Sequence, residues 1–145
     1  MQREMQRAPG RTPIPPTRDI STADVQWLRT QAAEGNAKAQ AYLGVLYSKG
    51  HGVPQDYAMA RQWWEKAAAQ GNANAQYNLG LELLRAGRAR EALGPLREAT
   101  HLRPEFTMAF IALADSHAEL GDRAAALEAG DRALALARAQ GEHEF

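Results

Sequence analysis

A nine-residue stretch of this chain occurs twice with two changes: Ala-Ala-Glu-Gly-Asn-Ala-Lys-Ala-Gln at 32–40 returns as Ala-Ala-Gln-Gly-Asn-Ala-Asn-Ala-Gln at 68–76, 36 residues later. A period of this size belongs to one small supersecondary unit that cannot bury its apolar face alone and must lean on a neighbouring copy. The match continues into Leu43-Gly44 against Leu79-Gly80. A second register, 34 residues apart, relates Leu79 to Leu113, Gly87 to Gly121, Ala92 to Ala126, Ala99 to Ala133 and Leu102 to Leu136.

Each copy of the stretch reads as the end of one helix and the start of the next. Gly35 and Gly71 supply a residue that tolerates left-handed geometry, and Asn36 and Asn72 can accept from the first free amides of the following helix. Ser21 with Asp24 three residues on is a capping-box arrangement. These signals predict seven helices, at about 22–33, 37–49, 55–70, 73–86, 88–101, 105–120 and 122–139. Alanine and leucine dominate them and β-branched residues are scarce, which favours helix throughout. The short turns force antiparallel neighbours, giving three hairpins preceded by a lone helix that caps one end.

Small residues recur where two helices must approach: Gly44, Gly80 and Ala114 in the first helix of each hairpin, Ala60, Ala92 and Ala126 in the second. Large ones recur three or four positions away, as Leu43, Leu79 and Leu113, or as Trp63, Trp64 and Leu96, to fill the space between hairpins. Trp63 and Trp64 stand beside Ala60 and Ala67 on one helical face and read as core rather than as an aromatic ligand platform.

The segments Ala39-Gln40-Ala41-Tyr42-Leu43-Gly44-Val45-Leu46-Tyr47, Gly50-His51-Gly52-Val53-Pro54-Gln55-Asp56, Ala60-Arg61-Gln62-Trp63-Trp64-Glu65-Lys66-Ala67-Ala68 and Gly71-Asn72 together resemble one complete Sel1-like repeat. Residues 25–36 resemble the second helix of a truncated preceding copy. Residues 73–104 and 107–138 lack the G-x-G-V loop and resemble tetratricopeptide repeats, with Leu79, Gly80, Leu83, Gly87, Ala92, Leu96, Ala99 and Pro104 in their places. The third hairpin departs from that pattern, with His117 where an aromatic is usual and Gly130 where a large apolar residue is usual.

The resemblance implies an all-α fold, a right-handed α-α superhelix or solenoid of helical hairpins, Sel1-like and then tetratricopeptide-like. Composition, rich in proline and arginine and poor in large apolar residues, makes 1–20 a disordered arm, followed by a repeat domain over 21–140 and a frayed end at 141–145. Within the domain, 22–36 is the capping helix, 37–71 the Sel1-like repeat, and 73–104 and 105–139 the two tetratricopeptide-like repeats. The arm holds four of the seven prolines, and Pro13 to Pro16 forms a P-x-x-P, a pattern of plain linkers as well as of groove ligands.

Families of this kind are interaction scaffolds whose first helices line a concave surface. Carried over residue by residue, that surface takes Lys38, Tyr42, Val45 and Lys49 from the first hairpin. It takes Tyr77, Asn78, Leu81, Leu84 and Arg85 from the second, and Met108, Ile111, Asp115 and Glu119 from the third. Helix 73–86 carries two apolar faces at helical spacing, one of Leu79, Gly80 and Leu83 and one of Tyr77, Leu81 and Leu84. Two accounts of the second face stand: neighbouring helices cover it, or it forms a groove for an apolar segment. Some tetratricopeptide domains clamp a C-terminal carboxylate with lysine, asparagine and arginine at fixed groove positions. Only Asn78 matches such a position; Ala41, Val45, Met108 and Ala112 occupy others, so the cations for that clamp are missing.

Little else in the chain suggests chemistry. Lysine plus arginine and aspartate plus glutamate are 17 each, so no global field selects nucleic acid or a membrane surface. There is no cysteine, and His51, His101, His117 and His143 are dispersed without metal-ligand spacing. Ser21, Ser48 and Ser116 lie in no nucleophile elbow. The arginines at 85, 88, 90, 97 and 103 alternate with Glu82, Glu91 and Glu98, as on a solvated face.

The expectation is a non-enzymatic scaffold or adaptor with no cofactor and no metal, binding another protein or peptide segment, with no nucleic-acid partner and no membrane span. The alternative is a self-assembling architectural unit that uses its uncovered last helix to form a homo-oligomer. With no apolar signal segment after Met1, the expected location is cytoplasmic.

Overall fold

The computed structural model describes residues 19–143, with side chains through 141. Of the arm expected over 1–20, only Asp19 and Ile20 lie within the described residues, and the P-x-x-P lies outside them. The described residues form helices α1 (Thr22–Ala33), α2 (Ala37–Lys49), α3 (Tyr57–Ala69), α4 (Ala73–Arg85), α5 (Ala89–Leu102), α6 (Thr107–Glu119) and α7 (Arg123–His143). The fold is all-α, of the helical-hairpin repeat class.

The twice-written stretch folds the same way twice. Ala39 N–H donates to Asn36 Oδ1 at 3.0 Å and Ala75 N–H to Asn72 Oδ1 at 2.9 Å, so each asparagine caps the helix that follows it. Gly35 and Gly71 sit at φ 98° and 85°, where a side chain would be strained. Their amides bond Ala32 O and Ala68 O, and the Asn36 and Asn72 amides reach back to Gln31 O and Ala67 O. Gln40 and Gln76 then return their side-chain amides to Ala32 O and Ala68 O, at 3.0 and 3.4 Å. The repeated letters are therefore a turn in which backbone donors and acceptors are paired by residues written into the same stretch.

Several helix starts move inward from their expected places, each for a local reason. Asp56 accepts from Met59 N–H at 3.1 Å while its own N–H bonds Tyr47 O at 2.8 Å, so α3 begins at Tyr57 and not at 55. Asp122 accepts from Ala125 N–H at 3.1 Å and starts α7 at Arg123. At its other end α7 continues to His143, past the expected end at 139 and into the residues expected to fray; Glu144 and Phe145 lie outside the described residues.

The chain divides between Trp63 and Trp64 into two compact units. In the first, α1 packs along α2. Val25, Leu28 and Ala32 of α1 and Leu43 and Leu46 of α2 are buried, and Arg29 reaches the Tyr47 hydroxyl at 3.1 Å. Ser21 Oγ accepts from Asp24 N–H at 3.1 Å, the cap expected at the start of α1.

In the second unit α4 packs on α5, α5 on α6 and α6 on α7, and α4 also meets α6. The core is Ala92 and Leu96 of α5, Ala112 and Leu113 of α6 and Ala129 of α7. Leu96 is wholly buried over Gly80, where an added Cβ would stand 2.5 Å from Leu96 Cγ; the missing side chain lets α4 and α5 approach. Trp64 is buried, as expected of a core residue, whereas Trp63 is only half-buried. Among the described residues no helix is long and apolar enough to cross a membrane.

Candidate functional site

The sequence-predicted surface residues fall in both units. On α2, Lys38, Tyr42, Val45 and Lys49 follow one another at helical spacing, with the lysines exposed and the other two half-buried. Burial, reinforced by the negative charge of Asp24, pushes the Tyr42 phenol above its ordinary range.

The second unit brings together most of the remainder. Tyr77, Leu81 and Leu84 of α4 are half-buried and pack against the α5–α6 core cluster. The second apolar face of α4 is thus covered in part by neighbouring helices. On α6, Met108 is 54% exposed and Ile111 41% exposed. Arg85 and Asp115 are exposed, and Asn78 is half-buried. Met108, Ile111 and Asp115 recur at intervals of three and four on α6, whose buried residues include Ala109, Ala112 and Leu113.

Two residues that the sequence reading did not assign to this surface complete it. Phe106, in the turn before α6, packs on Tyr77 with ring centroids 5.1 Å apart and planes tilted by 47°. Arg103 lays its guanidinium 4.2 Å from the Phe106 ring centroid and donates to Asn74 Oδ1 at 3.0 Å. No local sequence signal marks Phe106 or Arg103, whose contacts with Tyr77 and Asn74 join residues 29 positions apart. Burial raises the Tyr77 phenol above its ordinary range, with the charge of Arg85 pulling the other way.

What this arrangement offers is apolar contact with a charged border. Among the described residues no group of three histidines, aspartates or glutamates could hold a metal ion.

The Sel1 repeat family model matches residues 37–72 and again 73–91. The second match covers α4, which the sequence reading compared to a tetratricopeptide helix, so the Sel1-like character extends past Asn72. Curated protein sequences give no significant match. Among solved structures, the chain is similar to c5321, a protective antigen of uropathogenic Escherichia coli with an SLR fold, at 32% identity and TM-score 0.69; the match covers 78% of this chain and 26% of that one. It is similar to MamA of MSR-1 at 27% identity and TM-score 0.61, covering 81% of this chain and 68% of that one. A Sel1 repeat protein from Oxalobacter formigenes shares the fold at 22% identity and TM-score 0.68, covering 79% of this chain and 49% of that one. The chain thus spans about a quarter of the antigen and about half of the Oxalobacter protein. With the repeated turn and the Gly80–Leu96 contact, these matches show Sel1 repeats over residues 37–91 and a helical-repeat fold for the chain.

Proposed function

We propose that this chain is a protein-binding scaffold that holds an apolar, extended or helical segment of another protein against α6 and the adjoining edge of α4. The observation that carries this reading is Met108 and Ile111. Two large apolar side chains stand exposed one turn apart on a helix whose other side is core. Tyr77, Leu81 and Leu84 are half-buried on α4, which packs on α6, and the exposed charges of Arg85 and Asp115 on these two helices suit a partner segment that is itself amphipathic. The face of α2 bearing Tyr42 and Val45 between two lysines is a further contact surface on the first unit. Catalysis has no part in this reading.

The test uses the exposed pair, because aspartate at half-buried Tyr77 or Leu81 would also disturb the core. Affinity capture with the wild type and with Met108→Asp/Ile111→Asp, both folded by circular dichroism, should recover a discrete partner with the wild type alone. Equal recovery by both proteins would reject the surface.

Self-assembly is the second reading, favoured by a different face. Leu127 and Leu134, seven residues apart on α7, are 68% and 51% exposed. Leu93, which stands 34 residues before Leu127 in the repeat register, is packed against the core cluster. Light scattering over a wide concentration range decides it: a mass that rises with concentration and falls back in Leu127→Glu/Leu134→Glu supports assembly, and a constant monomer mass rejects it.

A further inference from the structure

Phe110, Leu113 and His117 lie on the opposite side of α6 from Met108, Ile111 and Asp115, because about 100° per residue carries the two triplets roughly half a turn apart. They line an open pocket of about 650 Å³ shared with α7 and with Arg97 of α5. Its α7 wall is made by Ala125 and Ala129, too small to fill the space above the α6 side chains. The volume falls within the roughly 300–1,000 Å³ of small-molecule sites.

His117 gives the pocket a polar end. The residue is 7% exposed and lines the pocket, yet its ring makes no hydrogen bond to any described residue. An imidazole always has an N–H to donate and, when neutral, a lone pair to accept, and neither ring nitrogen of His117 is among the side-chain atoms sealed from solvent without a partner, so the ring is available to a molecule entering the pocket. Phe110 and Leu113 beside it supply an apolar bed.

Charge lines the exposed part of the pocket: Asp122, Glu128 and Asp131 with Arg97 and Arg132, three carboxylates and two guanidiniums. Asp122 is engaged in capping α7, and Arg132 lies over the Phe110 ring, 6.0 Å from its centroid. Glu128 and Asp131 therefore leave the rim with an excess of negative charge, which favours a cation arriving from solvent.

We propose that this pocket is a second binding site, independent of the α4–α6 surface, for a small aromatic amine. The ligand sets an N–H or O–H at its inner end on His117, rests its ring on Phe110 and Leu113, and leaves its ammonium group beside Glu128 and Asp131. A partner protein on the Met108–Ile111 face and a small molecule on the opposite side of the same helix could then be bound together.

Tryptamine and tyramine are the probes, titrated into the full chain while the amide signals of Phe110, His117, Ala125 and Ala129 are followed by NMR. Both should shift these signals saturably. Phenethylamine, which lacks the inner donor, should bind about five- to tenfold more weakly, the worth of one net hydrogen bond. Indole-3-propionate, with a carboxylate in place of the ammonium, should bind more weakly than tryptamine. Ala125→Trp should fill the pocket and remove the shifts; should that variant fail to fold, Glu128→Gln on the exposed rim should weaken both amines while leaving the fold intact. The proposal is overturned if tryptamine gives no saturable shift, if tyramine and phenethylamine bind alike, if the carboxylate probe binds as well as the amine, or if a folded Ala125→Trp protein or Glu128→Gln binds like the wild type.

Discussion

In the hairpin α4–α5 a glycine on the first helix receives a leucine from the second: Gly80 has no room for a Cβ, and Leu96 is wholly buried. Thirty-four residues on, the matching positions of α6–α7 hold Ala114 and Gly130, and a Cβ built on Gly130 would meet nothing within 4 Å. Both hairpins keep the same backbone plan, because turn chemistry and helix propensity specify it locally. They differ in what stands at the matched positions: a glycine closed upon by a buried leucine in one, an alanine and a glycine facing open space in the other. The two second helices also begin differently. α7 is capped by Asp122, while Arg88, at the N-cap position of α5, makes no side-chain cap.

The comparison can be broken most forcefully at Leu96. Leu96→Ala removes a fully buried side chain that α4 closes upon, and it should cost about 2–5 kcal/mol in urea unfolding of the intact chain. The next effect is its mirror image. Gly80→Ala forces a methyl against Leu96 and should cost about 1–3 kcal/mol despite alanine's better helix propensity, the cost depending on how far Leu96 can yield. In the third hairpin the same kind of change should have the opposite sign. Gly130→Ala meets no neighbour inside a helix and should stabilise by about 0.5–1 kcal/mol. If Gly80→Ala and Gly130→Ala shift the unfolding midpoint in the same direction, the two hairpins do not differ in the way described.

The smallest effect concerns the start of α5, where the Arg88 guanidinium hydrogen-bonds the Glu91 carboxylate. That hydrogen bond, with the Arg88 charge, holds the Glu91 carboxyl below its usual range. A carboxyl lowered by folding stabilises the native state above its unfolded-state pKa, and the contribution fades as pH falls through the lowered value. Both groups are exposed, so solvent screens the pair. The melting temperatures of wild type and Glu91→Gln should therefore differ slightly at neutral pH and converge in acid; a gap that widens on acidification would contradict the assignment.

The fold was largely legible because its strongest signals are local. Gly35-Asn36 and Gly71-Asn72 announce their turns in two letters, and the spacing of Ala92, Leu96 and Ala99 marks the buried side of α5. Helix starts were less legible, since the caps at Asp56 and Asp122 depend on which of several polar residues folds back on the backbone. The α4–α6 surface was half legible. Helical spacing selected Tyr77, Leu81, Met108 and Ile111, but how much of each is covered depends on the approach of α6, and Phe106 and Arg103 join through contacts between residues distant in sequence. His117 and Gly130 were visible as departures from the repeat pattern. That His117 lines a pocket was not, because a pocket consists of volume that side chains from α6 and α7 fail to fill.

Site-specific photocrosslinking in source cells tests the binding surface most directly. A benzophenone amino acid is placed at Ile111 in one protein and, for comparison, at exposed Ala137 of α7 in another. The account predicts a discrete crosslinked partner from Ile111 that is absent from Ala137 and lost when Met108→Asp is added. The same partner from both positions, or none from Ile111, would contradict the claim that the α6 face is where this protein binds.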